Sequence, residues 1–115
     1  MLKIYGIKNC NSMKKAFDLI NELALPFEFH DYKKQGIDAQ TIKVWLDHIG
    51  QDILLNRKGT TWKKLSEQEQ KDALENQENL IQALINHTSM IKRPVIEKDG
   101  EYIVGFDEEK IKALK

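Results

Sequence analysis

At 115 residues, with 41% hydrophobic and 31% charged residues, the chain has the size and composition of one globular domain and is not disordered. Its 18 basic residues balance its 18 acidic ones, which argues against nucleic-acid binding by bulk charge, and its single cysteine excludes an internal disulfide framework and a cysteine-based zinc site. No apolar run approaches the ~20 residues of a membrane span, and the opening MLKIYGIKNC lacks the pattern of a secretory signal, so the chain reads as cytoplasmic, with no membrane or direct nucleic-acid partner.

The pattern in chain order begins with a strand. Leu2, Ile4 and Ile7 mark a short apolar opening, with a strand near residues 2–6 and a turn at Gly6. Met13, Ala16, Phe17, Ile20, Leu23 and Ala24 then recur at helical spacing, giving a helix from about Asn11 to Ala24 that Pro26 closes. FEFHDY, residues 27–32, alternates as a half-buried strand does. Strand, helix and strand in this span form a βαβ unit, whose strands are parallel.

The middle reads as helical. Asp38 caps a helix with Ile42, Trp45, Leu46 and Ile49 on its buried side, and Gly50 stops it. Residues 51–62 read as irregular. Ser66 and Glu69 fit a capping box for a helix to about Leu74, and Leu80, Ile81, Leu84 and Ile85 belong to another. The end returns to strands: PVIEK and EYIVG around Asp99-Gly100 read as a hairpin, and Asp107 caps a last helix with Ile111 and Leu114 inward.

Three features carry possible chemistry. Cys10 lies where the first strand hands over to the first helix, so free backbone N–H groups and the positive end of the helix favour a thiolate. Lys8 and Lys14 add positive charge nearby, and Asn11 and Ser12 are short donors for sulfur or an oxyanion. The alternative is a lone cysteine packed as a small apolar residue. Arg93-Pro94 precedes a strand; its peptide bond is either cis, as at some active sites, or the commoner trans bond opening an edge strand. Arg57, beside Asn56, Lys58 and Gly59, offers a planar fork for an anion, although its spacing alone equally suits a surface arginine. Basic stretches at 1–15, 57–64 and 92–93 form an anion site if they converge. The three histidines have no metal-ligand spacing.

YGIKNCNSMKKA, LLNRKGTTWKKL and MIKRPVIEKDGEYIVGF, in this order and at these separations, resemble the arsenate reductase (ArsC)/Spx family, and within it the small YffB-like branch. The resemblance spans the whole chain. It implies an α/β, thioredoxin-like fold in one domain, residues 1–115: a four-stranded mixed sheet with a helical insertion between strands two and three, at about 34–90. It also implies that Cys10 is the nucleophile, that Pro94 is a cis-proline facing it, and that Arg57 and Arg93 bind an anion near the thiolate. Two departures bear on substrate. Phe106 stands where arsenate reductases of the family carry a third arginine, and Gly6 stands where they carry a histidine four residues before the cysteine. Met13 also replaces the second cysteine of the C-x-x-C switch found in many Spx regulators.

The leading expectation is a single-cysteine thiol-disulfide reductase, with no bound cofactor and with glutathione as co-substrate. With no second cysteine, glutathione or a glutaredoxin-type thiol protein must resolve the intermediate. The alternatives are a non-catalytic, Spx-like regulator that binds the RNA polymerase alpha subunit, and a true arsenate reductase. A neutral domain of this size is expected to be a monomer.

Overall fold

The first strand, β1, runs from Leu2 to Gly6, and the first helix, α1, from Asn11 to Glu22 in this computed structural model, which describes all 115 residues. Strand β2, Phe27–Asp31, returns parallel to β1 with Leu2 opposite Phe27 and Gly6 opposite Asp31. After a long excursion come β3, Val95–Lys98, and β4, Glu101–Val104, which form an antiparallel hairpin. Strand β3 also pairs antiparallel with β1, giving a mixed sheet in the order β2-β1-β3-β4. This is the expected four-stranded arrangement. Asp99 and Gly100 both have positive φ, 51° and 81°, as a two-residue turn matched to strand twist requires.

The register explains the core. Leu2 and Ile4 on β1, Phe27 and Phe29 on β2, Ile96 on β3 and Ile103 on β4 lie on one sheet face because side chains alternate along each strand. Helix α1 covers this face with Met13, Ala16, Leu19 and Ile20, together with Ile111 of the last helix. Phe17 stacks on Phe27 at 5.5 Å and meets Phe29 edge-on at 5.0 Å. A short helix, α2, spans Tyr32–Gln35 directly after β2, where the sequence shows only the end of a strand.

The chain divides into two compact units, residues 1–35 with 93–115, and residues 36–92. The second unit is helical. Asp38 caps α3, Ala39–His48, by accepting from the Thr41 N–H at 2.8 Å. Residues 51–62 depart from the irregular expectation: α4 spans Gln51–Leu54, and α5 spans Thr60–Lys64. Between them Leu55 bridges Ile91, the Asn56 N–H donates to the Met90 carbonyl, and the Lys92 N–H donates to the Leu54 carbonyl. Helices of four and five residues are too short to show a period, which is why the pattern hides them. The capping box is present at the start of α6, Glu67–Glu75, and Asn76 caps α7, Gln77–Asn86. A 3-10 turn, Thr88–Met90, follows. Trp45, Trp62, Leu54, Leu80, Leu84 and Met90 are buried in this unit.

Asp107 caps the last helix, α8, Glu108–Lys112, which packs beside α1. No helix is long and apolar enough to cross a membrane.

Candidate functional site around Cys10

Cys10 is the N-cap residue of α1, with extended backbone at φ −147° and ψ 132°. Its own carbonyl accepts the Lys14 N–H at 2.9 Å, and its N–H donates to the Lys8 carbonyl at 3.1 Å, so the turn between strand and helix is held on both sides of the cysteine. The thiol is half-buried and packs against the edge of the sheet core. An N-cap side chain faces the N–H groups of the second and third helical residues. Here those residues are Ser12 and Met13.

The balance of forces on Cys10 favours the thiolate. Burial pushes the thiol up, but it is outweighed by the Met13 N–H, the Arg93 guanidinium, the Ser12 N–H and the Arg93 charge, and the thiol sits below its ordinary value. The Cys10 side chain makes no capping hydrogen bond in this geometry, and the neighbouring N–H groups and the guanidinium favour its charged form as nearby donors.

Arg93 reaches Cys10 from the other end of the unit. It precedes β3, and the Arg93-Pro94 peptide bond is cis. Pro94 is buried, and its carbonyl accepts the Gly105 N–H at 2.8 Å, which ties the segment to the end of β4. Tyr32, almost fully buried, lies in the field of Arg93; its burial pushes the phenol up strongly, and its hydroxyl has no hydrogen-bond partner. Phe106 follows Gly105. The residue is 37% exposed, with the Lys15 Nζ 6.0 Å from the centre of its ring.

Cys10, Asn11, Ser12, Arg93 and Pro94 thus belong to one unit, and Arg93 acts on the sulfur directly. Ser12 contributes its backbone N–H, where the sequence suggested its side chain. Asn11 is the exposed first residue of α1, and Lys8 and Lys14 are exposed. Arg57 belongs to the helical unit, where it is exposed and lies 3.9 Å from the Asp52 carboxylate. No group of three or more His, Cys, Asp or Glu residues is placed to hold a metal ion. Met13 is the residue that sequence reasoning missed at this site. The signal was available, because it stands three positions after an N-cap cysteine.

A family model described as the ArsC family matches residues 5–114. An uncharacterized protein of Haemophilus influenzae is 34% identical over 113 residues, covering 98% of this chain and 97% of its own. A solved structure named YFFB protein is 40% identical and superposes with a TM-score of 0.92, covering 98% of this chain and 97% of that one. An arsenate reductase (ArsC) related protein from Brucella melitensis is also 40% identical, with a TM-score of 0.75 over 97% of this chain and 92% of that one. The chain therefore belongs to the ArsC family, in its YffB-like branch, and carries that family's thioredoxin-like fold with a single cysteine at the head of its first helix.

Proposed function

We propose that this protein is a single-cysteine thiol-disulfide reductase that uses glutathione. The observation that carries the reading is the placement of Cys10 at the start of α1 with Arg93, from the cis-proline segment, stabilising its thiolate. The thiolate attacks the glutathione sulfur of a mixed disulfide. A bond forms between the Cys10 Sγ and that sulfur, the old S–S bond breaks, and the other half leaves as a thiolate that takes a proton from water. A second glutathione thiolate then attacks the adduct, releases oxidised glutathione and restores the Cys10 thiolate. The chain supplies no resolving thiol of its own, because Cys10 is its only cysteine. A glutaredoxin-type protein thiol can take the same resolving role.

Arg93 is the anion-binding group of this reading, suited by its planar fork to a glutathione carboxylate. Arg57 is a second anion-binding candidate, to be judged by whether Arg57→Gln raises KM for the disulfide.

The Brucella relative's name raises arsenate as a competing substrate. Two features here count against it. Phe106 brings an aromatic ring in place of a third arginine, and Gly6 stands where a histidine is expected, its side-chain space taken by the Met13 thioether. Millimolar arsenate is therefore expected to leave the rate of Cys10 alkylation unchanged; clear protection would favour the arsenate reading.

The direct test is turnover of the mixed disulfide of glutathione and 2-mercaptoethanol, coupled to glutathione reductase. Cys10→Ser is expected to lose all activity. Full activity in that variant would end the proposal.

A further inference from the structure

Gly6 and Met13 are seven residues apart and lie on opposite sides of the turn that carries Cys10. Gly6 is the last residue of β1, is buried, and pairs with Asp31 of β2. Met13 is the third residue of α1 and is fully buried in the sheet core. The Met13 thioether rests against the Gly6 backbone so closely that a methyl group at position 6 would overlap both its sulfur and its terminal methyl. Met13 is fully buried in an interior packed at crystal-like density, so its thioether yields only against packed neighbours and the contact couples the two elements it joins. The strand end and the first helical turn are thereby seated on each other.

We propose that Gly6 and Met13 are a matched pair of positioning residues, whose contact seats the first turn of α1 so that its N–H groups stay beside the N-cap Cys10 sulfur. Met13 acts through its backbone on the sulfur and through its side chain on Gly6; neither residue is a catalytic group. The pair is complementary in volume. A side chain at position 6 must displace the buried Met13 thioether, and a smaller residue at 13 leaves a gap at position 6. The charged group acting on the same sulfur, Arg93, comes from the other end of the unit and is untouched by either change. The inference deepens the reductase reading, since it concerns the same thiolate, but thiol ionisation is measurable whether or not the protein reduces disulfides.

The test is the pH dependence of iodoacetamide alkylation of Cys10 in four variants, with thermal unfolding recorded on each. Met13→Ala and Gly6→Ala are expected to move the alkylation midpoint upward and to slow alkylation below the midpoint by roughly threefold or more, as weakening one hydrogen bond to a charged sulfur would. Met13→Leu, which keeps the volume, is expected to stay within about twofold of the parent, in line with the tolerance of cores for volume-conserving swaps. The double variant Gly6→Ala/Met13→Ala is expected to lie closer to the parent than Gly6→Ala alone. Lower unfolding temperatures with unchanged midpoints in both single variants would show a packing role only and overturn the proposal, as would a double variant no better than Gly6→Ala. If Gly6→Ala does not fold, the Met13→Ala and Met13→Leu pair decides: a midpoint moved in the first and kept in the second supports the proposal, and equal midpoints overturn it.

Discussion

At the scale of single residues, the chemistry rests on which groups act on one sulfur. Arg93 both donates to Cys10 and places a positive charge beside it. Arg93→Gln removes the charge and the guanidinium fork together. Alkylation of Cys10 at neutral pH is expected to slow by roughly tenfold, the scale of a hydrogen bond to a charged group. Arg93→Lys keeps a positive charge but not the fork, and is expected to fall between that variant and the parent. Both are read in one stopped-flow series against iodoacetamide, and equal rates in all three proteins would contradict the role given to Arg93. The cysteine and its position at a helix start were legible in the sequence, because a nucleophile before a helical stripe leaves a pattern. The Met13 N–H was legible only as a position, three residues after the cysteine, and its aim was not. A backbone group carries no residue identity, and its aim depends on the seating of Met13 on Gly6, which no spacing rule expresses.

At the scale of elements, the two ends of α1 do different work. Its start holds the thiolate. Its finish is a Schellman motif: the Leu25 N–H donates to the Ile20 carbonyl at 3.1 Å and the Ala24 N–H to the Asn21 carbonyl at 3.0 Å. Ala24 occupies the left-handed position at φ 57°, where glycine is favoured. Ala24→Gly is therefore expected to stabilise the protein by ~1 kcal/mol, seen as a higher urea midpoint with an unchanged slope. A lower midpoint would contradict this account of the helix end. Helix α1 stops at Glu22, short of the expected Ala24, because this motif acts before Pro26 does. Elements with strong local signals matched the sequence closely: the Asp99-Gly100 hairpin, the Ser66–Glu69 capping box and the Asp38 and Asp107 caps. Those without such signals did not. Helices α2, α4 and α5 have four or five residues each, less than two turns, and their boundaries are set by tertiary hydrogen bonds such as Asn56 to Met90.

At the scale of the whole molecule, the depressed thiol couples folding to pH. The native thiol loses its proton at lower pH than the unfolded one, so between the two values the unfolded chain binds more protons and stability rises with pH. The contribution is fully present above the ordinary thiol value and disappears as pH falls through the lowered native value. Urea unfolding under reducing conditions is expected to show this rise in the parent and a flatter profile over the same window in Cys10→Ser. A parallel rise in both would place its origin elsewhere. The central claim is that Cys10 exchanges disulfides through a covalent adduct resolved from outside the chain. The measurement that meets it most directly is intact-mass analysis of reduced protein mixed with the glutathione–mercaptoethanol disulfide. The expected result is rapid addition of one glutathione at Cys10, absent in Cys10→Ser and removed on adding free glutathione. No adduct, or an adduct that free glutathione leaves in place, would contradict it.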